Sequence, residues 1–493
     1  MDAKAQGAVA LPAAQGRLPV RLKLLYGLGS IAFGVKDNGF QTILLIFYNQ
    51  VVGMPAALVG LAIMIALAVD AIMDPIIGEW SDNLRTRWGR RHPLMYAAAI
   101  PLGLSYLLLW NPPHLSQGAL FVYLVVVAIV VRTFISLYEA PSQALAPELT
   151  TDYAERTALM GYRSAFQWFG GLVMYALAFQ VFLRPDATHA IGQLNPVGYS
   201  HYGLAAGLFM TGTILISALG THSRIKTFVQ PPERHRGLGE VLREVRASLS
   251  NRSYLMVLGS NLFSATATGL AFSMNLYFYT YVWKLSASQI ALFAVISIAS
   301  ALFGSVLARL VSKRNKRATA ITLFLSGLTL SSGPLLLRLL GLFLPNGHPL
   351  LYPVLLITSV ISLSQMIAAA IIGASMVADV VEDSQAKTGR RSEGLFFAGA
   401  TFVQKAVSGV GIFLSSLILS AVHFPAAAHG AGAAVPPEVV HNLLLIYLPT
   451  VVTLYLIGLV WLAGYRITRE SHDATLQRLA TQAAEGVSVI PDV

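Results

Sequence analysis

Two aspartates, Asp70 and Asp74, stand four residues apart in an otherwise apolar run of this 493-residue chain. At that spacing they share one face of a helix, with Cβ atoms about 6 Å apart. Two ionised carboxylates so close in a low dielectric repel strongly, so a proton, a metal cation or a basic side chain must neutralise them. A hard monovalent cation such as Na⁺ suits carboxylate and hydroxyl oxygens, and Ser136 and Glu139 of another apolar run can add more. The alternative is a structural ion-pair network with Lys36, Arg163 or Lys405.

Other charges sit in comparable surroundings. Lys36 and Asp37 are adjacent in the first apolar run, and Arg132, Glu139 and Arg163 occupy the fourth and fifth. Each charge at the centre of a membrane helix costs roughly 2.5–3.5 kcal/mol on insertion scales, so each needs a partner or a function. Glu139 and Arg163 can offer a carboxylate and a guanidinium to the hydroxyls of a polar solute, or bridge to each other. Arg132 reads equally as a functional charge or as packing or helix-end chemistry. Lys405 is the one base deep in its run, where it can act as a tethered cation competing for the aspartates or snorkel to the surface. Asp82 with Arg85, Arg87, Arg90 and Arg91 forms a charged loop that reads as an inter-helix latch. Asp379, Glu382 and Asp383 with Arg390 and Arg391 read the same way between the tenth and eleventh runs, or as plain solvated loop charges. The aromatic run Tyr277, Phe278, Tyr279, Tyr281 and Trp283 reads as an interfacial belt, with a substrate platform as the alternative. No nucleophile–base motif, metal-ligand cluster or glycine-rich phosphate loop is present, so the chain is not read as an enzyme. No cofactor is expected beyond a coupling ion, Na⁺ or H⁺.

The elements that position these residues are membrane helices. Hydrophobic residues make up 55% of the chain and charged residues 12%, half the charged share of a soluble protein. A helix needs about 20 apolar residues to cross a bilayer. Twelve runs qualify, near residues 20–51, 55–81, 94–112, 117–146, 158–184, 203–221, 253–284, 287–312, 318–344, 349–379, 393–422 and 439–467. The net charge of +11 reflects short basic loops after every second run, among them Arg85–Arg91 and Lys313–Arg317. Those loops are therefore cytoplasmic, as are both termini, and nucleic acid is not a partner. Without cysteine there is neither a disulfide nor a thiolate metal site.

The chain thus divides into a tail (1–19), a six-helix half (20–221), a partly amphipathic linker (222–252), a second six-helix half (253–467) and a polar tail (468–493). Gly78 with its arginines and Gly304 with Lys313–Arg317 occupy equivalent places in the two halves. This all-α pattern of twelve transmembrane helices matches the major facilitator architecture, with a solute site between the halves. The expected location is the plasma membrane, or the inner membrane of a Gram-negative cell.

The motif Asp70-Ala-Ile-Met-Asp74-Pro-Ile-Ile-Gly78, followed by Arg85-Thr-Arg87-Trp88-Gly89-Arg90-Arg91, closely resembles the glycoside–pentoside–hexuronide:cation symporter family. The resemblance continues at Lys36-Asp37, Glu139-Ala-Pro141, Asp152 to Arg156, Tyr162-Arg163, Ser375 to Asp379 and Phe402 to Lys405, over nearly the whole chain. It implies secondary active symport of a sugar, glycoside or uronate by alternating access. It implies a cation site at Asp70, Asp74 and Ser136, and solute contacts at Lys36, Asp37, Glu139, Gln143 and Arg163. Lys405 is implied as a coupling residue near the cation, and Asp82, Arg85, Arg90, Arg91 and Asp379 as a cytoplasmic gate. The expected partners are a small sugar-like solute, a monovalent cation and the lipid bilayer, and the chain is expected to be a monomer. Gln143 and Ala370 stand where melibiose permease has tryptophans, and Met73 where it has an asparagine. Animal lysophospholipid transporters also resemble the family, so a lysolipid or other amphipathic solute is the alternative.

Overall fold

A computed structural model describes residues 17–150, 152–187, 189–227, 251–311, 315–388, 393–426 and 435–484. The expected linker helix and Arg390 and Arg391 fall outside these residues, as does the side chain of Lys405. The first apolar run is a chain of short pieces: α1 (Val20–Leu28), α2 (Ile31–Asn38), a π turn (Gly39–Ile43), α3 (Leu44–Ile46) and a second π turn (Phe47–Val51). Next come α4 (Ala56–Asn83), α5 (His92–Leu109), α6 (Gln117–Leu149), α7 (Tyr153–Leu177) and α8 (Pro196–His222). The second half contains α9 (Arg252–Tyr277), α10 (Ala287–Val311), α11 (Lys316–Leu339), α12 (Leu351–Thr388), α13 (Glu393–Ala421) and α14 (Pro437–Ala463). A further helix, α15 (Arg469–Ala484), lies in what the sequence presents as a polar tail. Among the described residues, ten helices are long and apolar enough to cross a membrane.

Lipid gives an unpaired backbone group no alternative partner, so helix starts must be capped. Asp152, Asn195, Asn251 and Asn315 cap α7, α8, α9 and α11 through their side chains. The Asp152–Arg156 motif is such a cap and also a tether. Glu155 donates its N–H to Asp152 and accepts from Lys23 Nζ and the Leu18 N–H, while Arg156 Nε donates to the Thr150 carbonyl.

Lipid also removes the hydrophobic drive between helices, so close backbone contact through small residues must hold them together. Helix α5 meets α8 at Gly103 and Gly207. A Cβ on Gly103 would lie 2.7 Å from the Gly207 carbonyl oxygen, and one on Gly207 would lie 2.6 Å from that of Gly103. Gly34 and Gly171 bring α2 onto α7, and Gly269 and Gly411 bring α9 onto α13. The two halves thus repeat one packing scheme. Gly103→Val should cost about 1–3 kcal/mol by overpacking, measured as a lower melting temperature of the purified protein.

The halves meet through α4 against α13 and α7 against α10. Hydrogen bonds between described residues of different halves lie at one end. Tyr277 donates to Asn49 Oδ1 (3.0 Å), Tyr281 to Gln50 Oε1 (2.7 Å), Gln50 Nε2 to the Pro425 carbonyl (2.8 Å) and Gln193 Nε2 to the Leu285 carbonyl (3.3 Å). This corrects the reading of the aromatic run as a lipid-facing belt: Tyr277, Phe278 and Trp283 are buried, and the tyrosines seal the two halves together. Spans ending at this seal close in π turns, Phe47–Val51, Ala178–Phe182 and Phe278–Val282. At the opposite end a side chain built on Gly78 would meet nothing within 4 Å among the described residues, and Trp80 is exposed. Among the described residues, the hydrogen bonds between the halves thus lie at the end away from the Arg85–Arg91 loop.

The seal can be tested because the chain has no cysteine. A single cysteine at buried Val51 should react slowly with an impermeant thiol reagent. Adding Tyr277→Phe and Tyr281→Phe removes two hydrogen bonds of about 1 kcal/mol each. Labelling should then rise about thirtyfold.

Candidate functional site

Most of the chemistry lies along one stripe of α6. Arg132, Ser136, Glu139 and Gln143 are spaced by four, three and four residues, which stacks them on a single helical face. Arg132, Ser136 and Glu139 are buried. Each finds its partner on a neighbouring helix or one turn along its own.

At the first level Arg132 Nη2 lies 2.5 Å from Asp70 Oδ2, and Ser136 Oγ donates to Asp70 Oδ1 at 3.0 Å. The Phe40 ring, in the first π turn, lies 5.5 Å from the Arg132 guanidinium carbon. Asp70 is buried, while Asp74, one turn nearer the Arg85–Arg91 loop, is half-buried. Of the readings open for Arg132, the structure shows a buried ion pair with Asp70 rather than packing or helix-end chemistry. The signal that would have revealed it is its i, i+4 relation to Ser136, which put both on the face already assigned to the aspartates. Among the described residues no group of three or more acidic or histidine side chains could hold a metal ion.

At the second level Arg163 of α7 lies 2.6 Å from Glu139 Oε1 through Nη2, and its Nη1 donates to Ser142 Oγ at 2.5 Å. Gln143 Nε2 donates to the same Glu139 oxygen at 2.8 Å. The Tyr26 ring lies 5.6 Å from the guanidinium carbon, and its hydroxyl donates to the Ser142 carbonyl. Of the two readings of Glu139 and Arg163, the structure shows the direct bridge. Nearby, buried Lys36 lies 3.3 Å from Asp37 Oδ1, and Gln41 Nε2 donates to Asp37 Oδ2 at 2.8 Å. These residues sit where α2 runs into a π turn, an irregularity common at functional sites.

Lys405 lies on α13. Gly60 packs against Ser416 and Leu67 against Gly409. Continuing that antiparallel register brings position 405 level with the Asp70–Asp74 turn.

The contacts between described latch residues fall into two clusters, each within one half. Arg91 bridges Asp82 (2.6 Å) and Glu148 (2.9 Å) and donates to Ser81 Oγ, while Arg90 Nη2 lies 2.6 Å from Glu148. Arg85 is exposed on the loop. Glu148, at the end of α6, is the shared acid that the sequence reading missed. Asp379 pairs with Lys316 at 2.7 Å and accepts from Tyr465 at 3.4 Å. Burial and the Asp379 carboxylate push the Tyr465 hydroxyl pKa up. The described partners of Asp379 thus tie α12 to α11 and to the chain after α14.

The second half holds a cavity of about 700 Å³. Its wall includes Asn261 and Thr268 of α9, Ser297 of α10, Ser359 of α12 and the rings of Tyr279 and Tyr455. No charged side chain lines it among the described residues. Lys36, Asp37, Glu139, Gln143 and Arg163 do not line it either. It reaches the elements that carry the charges at Trp168 of α7 and Gln404 of α13, and Ala370 opens onto it.

Residues 25–469 match the family described as MFS/sugar transport protein. An uncharacterised symporter of Synechocystis is 28% identical, covering 94% of this chain and 97% of the relative. The isoprimeverose transporter of Lactiplantibacillus pentosus is 24% identical over 82% and 81%. The sodium-dependent lysophosphatidylcholine symporter 1 of Gallus gallus is 23% identical over 92% and 88%. A solved inward-facing bacterial homologue of the human lysosomal transporter Spinster shares the fold, with TM-score 0.61 at 14% identity over 93% and 97%.

Proposed function

The chain belongs to the MFS/sugar transport protein family, among its glycoside–pentoside–hexuronide:cation symporters, and from that premise we propose that it takes up a sugar, glycoside or uronate with a cation by alternating access. It is a multi-pass membrane transporter and not an enzyme. The first segmented run and α13 join the ten long helices to make twelve spans. The charge of the basic loops supports a cytoplasmic position for both termini and for the end carrying the Arg85–Arg91 loop.

The observation that carries this reading is the stripe on α6. It sets a carboxylate–guanidinium pair, Glu139 with Arg163, one turn from a carboxylate, Asp70, that already has a cationic partner. In the mechanism, Lys36, Asp37, Glu139, Gln143 and Arg163 supply donors and acceptors for solute hydroxyls, and the Glu139–Arg163 bridge opens to receive them. The hydroxyl and aromatic lining of the second-half cavity supports a neutral polyhydroxylated body reaching across. A coupling cation, Na⁺ or H⁺, acts at the Asp70–Asp74 turn and fixes α4 against α6 in the geometry the solute needs. Lys405 carries that state to the other half. The Asp82–Arg91–Glu148 cluster and Asp379 re-pair as the cytoplasmic end closes. Membrane potential adds about 2.3 kcal/mol per charge per 100 mV to inward cation movement.

A second reading, a lysolipid or other amphipathic solute, is favoured by the Gallus gallus relative and by the aromatic part of the cavity wall. Proteoliposomes separate the two. Labelled sugars, glycosides, uronates and lysolipids are offered under imposed Na⁺ or H⁺ gradients. Uphill accumulation of a sugar-class solute that collapses with an ionophore is the expected result. Accumulation of lysolipid alone, or flux indifferent to every cation gradient, would overturn it.

A further inference from the structure

Asp70 is the more deeply buried of the two carboxylates at the candidate cation site, and both of its oxygens are engaged. Oδ2 lies 2.5 Å from the Arg132 guanidinium, and Oδ1 accepts from Ser136. An arginine cannot lose its proton in a protein, so this counter-charge is permanent. It is also held in place: Arg132 is buried, its guanidinium lies 5.5 Å from the Phe40 ring, and its stem belongs to the same helical face as Ser136. The Ser136 proton points to Asp70, and the hydroxyl is thereby committed as a donor. A Na⁺ on this carboxylate would sit about 4 Å from a fixed positive charge. By Coulomb's law, like charges at that distance in protein surroundings disfavour binding about a thousandfold. The donor set Asp70, Asp74 and Ser136 therefore does not fit Na⁺ in this chain.

We propose that Arg132 is a resident counter-cation that takes the place of Na⁺ at Asp70, so that the carboxylate pair of this chain turns Na⁺ away. The inference rests on the proposed symport only in identifying the pair as the coupling site. Of the two coupling cations that reading allows, Na⁺ is the one excluded. Arg132 is thus a specificity-determining residue for the driving ion.

The test uses Na⁺ alone with the purified full-length protein, so its outcome is independent of whether any solute is transported. Thermal stability and ²²Na⁺ binding are measured against choline at constant ionic strength. Wild type should show no saturable response to Na⁺. Arg132→Gln and Arg132→Ala should each gain saturable Na⁺ binding, tighter than wild type by about tenfold to a thousandfold. The gain should disappear when Asp70→Asn is added, and Arg132→Lys, which keeps the charge, should behave as wild type. Saturable Na⁺ binding by wild type overturns the proposal and requires no variant to fold. Folded, monodisperse Arg132→Gln and Arg132→Ala proteins that gain no Na⁺ binding overturn it as well.

Discussion

Arg163→Ala is expected to abolish solute uptake and to destabilise the protein by about 3–5 kcal/mol, the usual penalty for removing one partner of a buried ion pair. Arg163 supplies Glu139 with its charged partner at 2.6 Å and Ser142 with a donor at 2.5 Å, and all three side chains are buried. Without the guanidinium, Glu139 keeps the Gln143 amide, but a neutral donor does not replace a charge-assisted one on a buried carboxylate. Natural domains are stable by about 5–15 kcal/mol, so the variant should still fold, with a lower melting temperature. The double variant Glu139→Gln with Arg163→Ala removes both charges. It should recover at least half of the lost stability, because the residual cost of the single variant is a stranded charge. It should not recover uptake, because the solute then meets neither charge. Uptake surviving in Arg163→Ala would remove the pair from the solute site. A double variant no more stable than the single would show that the cost lies in lost packing against Tyr26.

The two aspartates are expected to respond differently to the same substitution. Asp74→Asn should leave melting close to wild type and abolish uphill accumulation, while solute exchange across the membrane persists. Asp74 is half-buried, and its loss leaves Arg132 still neutralised by Asp70. Asp70→Asn should stop accumulation too, but also cost about 3–5 kcal/mol, because it strands the buried Arg132 guanidinium. The measurements are the accumulation ratio under a cation gradient, counterflow without one, and melting temperature. Accumulation at the wild-type level in Asp74→Asn would place the coupling elsewhere.

The contrast shows where sequence reading reaches its limit. The helices were legible because the bilayer demands about 20 apolar residues for each crossing, and the expected runs match the observed helices to within a few residues at most ends. The Asp70–Asp74 turn was legible because neighbours on one helix follow from its pitch. Arg132 stood legibly on the Ser136 face, but its pairing with Asp70 did not follow, because that depends on how α4 and α6 are rotated against each other. Tyr277 and Tyr281 were misread for a related reason. An aromatic near the end of a span looks the same whether it faces lipid or the opposite half, and only the partners Asn49 and Gln50 decide. The π turns in the first run have no apolar periodicity to betray them. Glu148 closes the charged loop because α6 runs long enough to bring it beside Arg90 and Arg91.

On the proposed reading the described charged solute contacts lie in the first half, and the neutral hydroxyl and aromatic wall lies mostly on helices of the second. A serine or alanine on α9 or α12 can change, as at Ala370, without disturbing the pairings between α4, α6 and α7. Drift in that wall can thus reshape the neutral part of the solute site while the charged contacts are inherited intact.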